Sequence, residues 1–487
     1  MAVQAVPGFD LQPSSQQVPV STNYLSSADF TWLQQYLPDT YEKEFERYGN
    51  RTVASFLRMV GAEMPSNSDL IKWAEQGRLH NKYQGLTTVS GAGLDTAVFV
   101  IPAADFNPAL ASPNLAALRA GQTVMLSSSV AGSTLSAKGI VTVAPTGAGA
   151  TARTFSVGFY EAAGMPAFTS GSIDCFIYGS EFAKGTNGMV GSNEADDFIF
   201  QNKPIIIKDK YEVSGSDMAQ IGWIEIQTEN GANGYLWYLK SEHETRLRFE
   251  DYLETAMVEA VPAEAGSDAG NYLQGLAAGG ASAAEKSGSD GIFYVVENRG
   301  NVFGGGNPVS LAQFDSVIQR LDKQGAIEEN VIFLNRNFSF DIDDMLAQQN
   351  SYGGGGTSYG LFDNDKDMAL NLGFTGFRRG YDFYKSDWKY LNDPTMRGGL
   401  IGGAVNGLLV PAGSTTVYDQ ILGKNAKRPF LHVRYRASET EDRRYKTWIT
   451  GSAGGARTSD LDAMEVNFLS ERAVCTLGAN NFFIFKD

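Results

Sequence analysis

The chain has 487 residues, of which 43% are hydrophobic, so it can bury a sizeable core and is not disordered as a whole. It carries 39 basic and 55 acidic side chains, and the net charge of −16 argues against an autonomous nucleic-acid binder or a protein of anionic membranes. Cys175 and Cys475 have no metal-ligand spacing, which excludes a disulfide scaffold and favours a reducing compartment. The first basic side chain is Lys43, and no apolar run reaches transmembrane length, so we expect neither a targeting segment nor a membrane span.

The first 40 residues predict an extended arm, because Pro7, Pro13 and Pro19 interrupt any helical or strand pattern. Aromatic side chains on a segment without a core of its own need a partner surface. That surface is either the arm's own domain or a neighbouring subunit. The candidate intersubunit contacts of the arm are Tyr24, Phe30, Trp32, Tyr36 and Tyr41. A short amphipathic helix is predicted over Asn50–Met59.

From Leu86 to about Tyr178 charged residues become rare, and short apolar runs alternate with glycine or proline turns. This spacing predicts a small β-barrel or sandwich. Strands on either side, Trp73–Tyr83 before it and Lys203–Val213 with Gly222–Thr228 after it, predict that this β-domain is inserted on a long β-arm. The predicted strands of the domain are Ala97–Ile101, Thr123–Leu126, Gly139–Val143, Phe155–Tyr160 and Ile173–Tyr178.

The strongest helical pattern covers Asn233–Ala260, where opposite charges recur at a spacing of four residues. Its length of about 42 Å, at about 1.5 Å per residue, exceeds most single-domain cores. Pro262 and the glycine-rich tract after it end the helix. The predicted apolar face consists of Leu236, Leu239, Leu247, Tyr252, Leu253 and Met257.

Residues 291–335 predict a β–α–β unit, with a strand at Ile292–Val296 and another at Val331–Leu334. Ser310 and Gln313 form a capping box at the start of the intervening helix, which ends at Gly325. A second helix is predicted over Asp341–Gln349. The last sixty residues predict strands at Pro429–Arg436, Tyr445–Thr450, Val466–Leu469 and Asn480–Phe485, and the fold class is therefore α+β.

Residues suited to catalysis are scarce, since the chain has three histidines and no HExxH, CxxC or Walker A pattern. Residues 356–360 match G-x-S-x-G, and Asp382 and His432 follow in hydrolase order. However, four glycines stand where a nucleophile elbow needs a buried strand, which favours a flexible loop. The acidic tract Asp363–Asp367 lacks the glycine and glutamate of a calcium loop, which favours a solvated turn. We therefore expect no enzyme, no catalytic residue, no metal and no cofactor.

A basic run follows residue 421, with eight basic and three acidic side chains up to residue 450. Arg434 and Arg436 share one face if their segment is a strand. The run is either a solvated or ion-paired face, a contact to an acidic neighbour, or a contact to enclosed nucleic acid. The candidate intersubunit contacts of this run are Arg434, Arg436, Arg443 and Arg444.

Three short motifs, together with the order of the predicted elements, carry a resemblance to a known family. The motifs are GNRTVASFLR at 49–58, IKWAEQGRL at 71–79, and FLSERA at 468–473, which precedes GANN at 478–481. The element order resembles that of the major capsid proteins of tailed bacteriophages, which have the Hong Kong-97 fold. The motifs resemble those of capsid proteins from crAss-like phages. The resemblance implies an N-terminal arm and short helix (1–62), an E-loop region (63–230) with an inserted β-domain (about 86–178), a spine helix and peripheral domain (231–300), an axial domain (301–424), and strands returning to the peripheral domain (425–487).

This resemblance implies a structural subunit that assembles through interlocking arms into an icosahedral shell of hexamers and pentamers. The expected partners are copies of the chain and other capsid, portal or decoration proteins, while packaged DNA is enclosed without specific binding and no membrane is involved. The expected localisation is the virion, with assembly in the cytoplasm of the host bacterium. The residues alone also leave open a carbohydrate-binding, β-rich surface protein and, more remotely, a serine hydrolase.

Overall fold

The computed structural model describes residues 56–57, 62–105, 116–145, 153–191, 197–219, 226–227, 233–234, 237–264, 266–275, 288–325, 327–351, 376–419, 424–455 and 457–486. These residues form two compact units. The smaller unit is Leu70–Asn202, and the larger unit contains the described residues on either side of it.

Both helices and strands are present, so the class is α+β, as predicted. The helices of the described residues are α1 (Gly215–Met218), α2 (Trp237–Glu259), α3 (Asp268–Gly275), α4 (Ile292–Arg299), α5 (Leu311–Gln324), α6 (Arg336–Ser351) and α7 (Lys389–Asn392). The strands are β1 (Ala62–Ser66), β2 (Ile71–Gln76), β3 (Lys82–Thr88), β4 (Thr96–Val100), β5 (Gln122–Ser128), β6 (Ser136–Val143), β7 (Thr154–Phe159), β8 (Ile173–Ser180), β9 (Asp197–Asn202), β10 (Ile205–Ser214), β11 (Ile226–Gln227), β12 (Asn233–Gly234), β13 (Asn301–Gly304), β14 (Glu329–Leu334), β15 (Gly376–Arg379), β16 (Tyr381–Asp387), β17 (Val405–Pro411), β18 (Ser414–Asp419), β19 (Lys424–Pro429), β20 (Leu431–Arg436), β21 (Lys446–Gly451), β22 (Ala463–Thr476) and β23 (Phe483–Lys486).

A five-stranded sheet of the larger unit is built around β22, which is fourteen residues long and mostly buried. Strand β10 pairs antiparallel with one edge of β22, from Ile205 opposite Arg472 to Ser214 opposite Ala463. Strands β21 and β20 share the other edge, and β1 joins β20 in parallel. Strand β1, the first described strand of the larger unit, therefore pairs with β20, which comes late in the chain.

A second sheet of the larger unit has six strands in the order β13–β23–β17–β14–β16–β15. Helices α5 and α6 contribute Phe314, Val317, Phe338 and Ile342 to a core shared with this sheet. The predicted cap of α5 is confirmed, since the Ser310 hydroxyl accepts a hydrogen bond from the Gln313 backbone N–H. The helix ends at Gly325, as predicted.

The strand predicted at Ile292–Val296 is wrong, because these residues form the first part of helix α4. Ile292, Phe293, Val295 and Val296 are all buried, so the segment shows no polar face. A short run that is apolar all round fits a buried strand and a buried helix equally well. The larger unit therefore runs α4–β13–α5–β14 where a β–α–β unit was predicted.

The long helix is confirmed as α2, but it begins at Trp237, and Asn233 belongs instead to β12. The buried side chains of this helix include Phe249, Leu253 and Met257, which lie in the core of the larger unit. Tyr252 is 45% exposed, so its prediction as part of the apolar face was wrong. Among the charge pairs, Arg246 lies 3.9 Å from Glu250. Arg248 pairs with Asp209 of β10 at 3.3 Å, and this contact ties the helix to the first sheet.

The smaller unit contains a closed barrel with the strand order β3–β4–β7–β6–β5–β8. Each of the five predicted strands lies within or next to one of these strands, and the barrel also includes β3, which begins before the predicted boundary at residue 86. Alternate residues fill the interior, among them Phe99, Leu126, Phe155 and Cys175. Burial raises the pKa of the Cys175 thiol to about 12.

Candidate intersubunit surfaces

The five aromatic residues of the predicted arm, Tyr24, Phe30, Trp32, Tyr36 and Tyr41, lie outside the described residues, as do the G-x-S-x-G match and the acidic tract. Their roles stay predictions. Of the predicted helix over Asn50–Met59, Phe56 and Leu57 are described, and both are helical and buried.

Phe56, in the short helix predicted after the arm, is buried in the core of the larger unit. Its ring stacks on Trp388 at a centroid distance of 4.3 Å and meets Phe333 edge-on at 4.6 Å. Its backbone N–H donates to the Glu254 carboxylate of α2 at 3.0 Å. The chain is therefore held against the long helix at this residue.

Three of the four candidate arginines of the basic run form ion pairs within the chain, namely Arg436, Arg443 and Arg444. Glu471 of β22 forms ion pairs with Arg443 at 3.1 Å and with Arg436 at 3.7 Å, and Arg436 also pairs with Asp69. The hydrogen bond that Arg436 donates to Asp69 raises the pKa of Arg436. Arg434 approaches the Pro65 carbonyl oxygen at 3.5 Å.

Glu63 of β1 is the acceptor for two further arginines. Arg444 donates to one carboxylate oxygen, and the buried Arg472 lies 3.3 Å from the other. Arg472 also donates to the Ser470 hydroxyl at 3.0 Å and to the Arg444 carbonyl at 3.1 Å. Of the alternatives for the basic run, an ion-paired face applies to Arg436, Arg443 and Arg444. A role of these side chains between subunits stays a prediction.

A two-stranded antiparallel ribbon, β2 with β9, begins and ends the smaller unit. Trp73 stands opposite Phe200, and Glu75 stands opposite Phe198, so these four residues share one face of the ribbon. The Trp73 and Phe200 ring centroids are 6.3 Å apart, and the Trp73 indole N–H donates to Glu75 at 3.0 Å. Ile199 lies on the opposite face, opposite Ala74.

Both faces of this ribbon expose apolar side chains, since Phe198 is 53% and Ile199 71% exposed. Among the described residues, no other strand pairs with β2 or β9. A two-stranded ribbon alone is at best marginally stable in water, and exposed apolar patches mark interaction sites. The ribbon therefore has the properties of a surface that is covered by another chain.

A groove of about 770 Å³ lies along the exposed face of α2 in the larger unit. Glu259 at the end of α2 accepts from Tyr390 at 2.7 Å and from Arg397 at 3.1 Å. Burial, followed by the hydrogen bond to Glu259, raises the pKa of Tyr390. No local sequence pattern indicates this cluster, because Glu259 lies 131 residues before Tyr390 and 138 residues before Arg397.

Within the described residues, no helix combines the length and the apolar composition needed to cross a bilayer. The same residues contain no group of three or more histidine, cysteine, aspartate or glutamate side chains that could hold a metal ion.

No protein-family model and no curated protein matches the sequence. Among solved structures, a chain of Microbacterium phage Oxtober96 is similar at 11% identity and a TM-score of 0.38, covering 95% of this chain and 99% of that one. The capsid of an empty GTA particle is similar at 8% identity and a TM-score of 0.35, and the match covers 95% of this chain and 97% of that one. The SrpI encapsulin of Synechococcus elongatus is similar at 9% identity and a TM-score of 0.33, with coverage of 60% and 77%.

Proposed function

We propose that this chain is the major capsid protein of a tailed bacteriophage of the crAss-like type, with the Hong Kong-97 fold. In this role it assembles with copies of itself, as hexamers and pentamers, into an icosahedral shell that encloses the phage genome. Its place is the virion, and its other partners are portal, decoration or further capsid proteins. The chain acts as a structural subunit and not as an enzyme.

The observation that carries this proposal is the uncovered ribbon of β2 and β9. Obligate interfaces bury roughly 2,000–5,000 Å² or more and are rich in apolar side chains. A ribbon with Phe198 on one face and Ile199 on the other offers two apolar surfaces, which suits an arm that lies between neighbouring subunits. The motif at 71–79, which resembles capsid proteins of crAss-like phages, includes strand β2.

The experiment compares the sedimentation of the full-length chain with that of two charge variants of the ribbon. The double variant Phe198→Asp with Ile199→Asp places a carboxylate on each apolar face. The control, Gln201→Asp, introduces one carboxylate at an exposed polar position of the same strand. We expect the original chain and the control to form shells or capsomers and the double variant to remain a folded monomer.

Two results would overturn the proposal. One is a full-length chain that stays monomeric at every concentration reached. The other is a double variant that assembles as well as the Gln201→Asp control, since the apolar faces would then contribute nothing to assembly.

A further inference from the structure

The outer face of the barrel carries a cluster of uncovered aromatic rings. Phe176 and Tyr178 alternate on β8 with inward residues such as Cys175, so their rings point away from the barrel core. Their centroids are 6.2 Å apart. Tyr160 follows β7 and Phe182 follows β8, and the four rings are between 42% and 51% exposed.

Two charged side chains are placed among these rings. The Lys138 ammonium of β6 lies 5.8 Å from the centre of the Tyr178 ring. The Tyr160 hydroxyl donates to the Glu181 carboxylate at 2.6 Å. This hydrogen bond is the main reason that the pKa of Tyr160 rises to about 12, so the hydroxyl keeps its proton at neutral pH.

The position of Phe182 depends on a glycine. Gly121, which has a φ of +86°, lies directly beneath the Phe182 ring, and a Cβ at this position would overlap that ring. The Glu181 backbone N–H donates to the Gly121 carbonyl at 2.9 Å and fixes the segment. The ring of Phe182, which follows Glu181 in the chain, is therefore packed against Gly121. We name the set of Phe176, Tyr178, Tyr160, Phe182, Lys138 and Glu181 the aromatic face.

The side chains of the aromatic face indicate the chemical class of its ligand. Flat apolar rings stack on a flat apolar surface, while the carboxylate, the phenol and the ammonium exchange hydrogen bonds with hydroxyl groups. Lys138 and Glu181 have opposite charges, so the face favours a neutral ligand over an anion or a cation. A pyranose ring has an apolar C–H face and a rim of hydroxyls, and it fits both requirements.

We propose that the aromatic face of the barrel binds a neutral glycan, with sugar rings stacked on Phe176 and Tyr178 and hydroxyls bonded to Glu181 and Lys138. The proposal does not depend on shell formation. A sugar-binding surface on a subunit present in many copies would attach a particle to a polysaccharide by multivalent contact even if each site binds weakly.

The test is isothermal titration calorimetry of the full-length chain with cellohexaose, maltohexaose and chitohexaose. We expect at least one of the three to bind with a Kd of about 1 mM or tighter. Aromatic contacts of this kind contribute about 1 kcal/mol, so Phe176→Ala and Tyr178→Ala should each weaken binding about five- to tenfold. Tyr178→Phe keeps the ring and should bind within about threefold of the original chain. Val89→Ala, at an exposed apolar position between β3 and β4, is the control that should change nothing.

Three results would overturn the proposal. The first is the absence of binding for all three oligosaccharides at about 10 mM. The second is binding that survives Tyr178→Ala and Phe176→Ala unchanged. The third is a loss of assembly in these two variants with oligosaccharide binding intact, which would make the aromatic face a protein interface.

Discussion

Lys385 of β16 and Asp343 of α6 form an ion pair that is almost completely removed from water. Their side chains are only 7% and 11% exposed, and the Lys385 ammonium also lies 3.3 Å from the Ser339 carbonyl oxygen. A buried ion pair adds little to stability over a well-packed apolar pair, but loss of one partner is costly because the other charge remains buried.

Asp343→Ala should therefore lower the free energy of unfolding of the larger unit by about 3–5 kcal/mol. The matched control is Asp343→Val combined with Lys385→Met, which removes both charges and keeps the side-chain volumes close to the original. This double variant should lie within about 2 kcal/mol of the original chain. Urea unfolding followed by circular dichroism measures both, and a cost below about 1 kcal/mol for Asp343→Ala would contradict the burial of this pair.

At the scale of single residues, the sequence predicted the types of residue at the candidate surfaces but not their partners. The basic run was visible as a local excess of charge. However, Arg444 pairs with Glu63, which lies 381 residues earlier in the chain, and Arg472 pairs with the same carboxylate. These contacts exist because β1 joins β20 in parallel, and no local pattern encodes that pairing. Arg472 was not among the candidates, because it lies beyond the basic run at 421–450.

The helix α2 shows how the face of a helix is decided by its neighbours. Phe249 is fully buried, and its ring stacks on Phe468 at 5.6 Å and meets Tyr445 edge-on at 5.4 Å. Tyr252, three positions later, lines the groove along α2. Charged residues are interspersed among the apolar ones along this helix, so the sequence pattern did not show which face is buried.

Phe249→Ala should lower the free energy of unfolding by about 3–5 kcal/mol, since it opens a cavity between α2 and the first sheet. Tyr252→Ala, a truncation of similar size on the same helix, should cost less than about 1 kcal/mol. Denaturant unfolding of the two variants compares them directly. Equal costs would show that the helix is rotated from the orientation described.

Elements with a clear period were predicted well, and elements without one were not. The barrel strands alternate largely between inward apolar and outward polar residues, and five of the six were found in the sequence. Helix α5 has a cap, a period and a terminal glycine. Helix α4 has no side-chain cap at its N-terminus, and its first residues are almost all buried and apolar, so this segment was taken for a strand.

The barrel should be removable, because the ribbon brings its two ends together. Gln76 of β2 pairs with Asp197 of β9, so an Asn-Gly turn in place of residues 77–196 should close the ribbon as a hairpin. We expect the shortened chain to be soluble, to keep the circular dichroism of its helices and to lose oligosaccharide binding. An insoluble product would show that the larger unit depends on the barrel for its core.

At the scale of the whole molecule, the proposed role as a shell subunit requires apolar surface that is exposed before assembly. The ribbon of β2 and β9 carries this surface in the described residues, and the aromatic arm is predicted to carry more. The net charge of −16 agrees with a container whose walls do not hold on to DNA. The sequence motifs predicted this role, whereas the exposure of Phe198 and Ile199 became visible only in the structure.

The most direct test of shell formation is electron microscopy of the purified full-length chain. The chain is expressed without other phage proteins, concentrated, and imaged in negative stain together with the Phe198→Asp, Ile199→Asp double variant. We predict closed particles or rings of five and six subunits for the original chain and dispersed single subunits for the variant. A field of dispersed monomers for the original chain, under all conditions of salt and concentration, would contradict the assignment of this protein as a shell subunit.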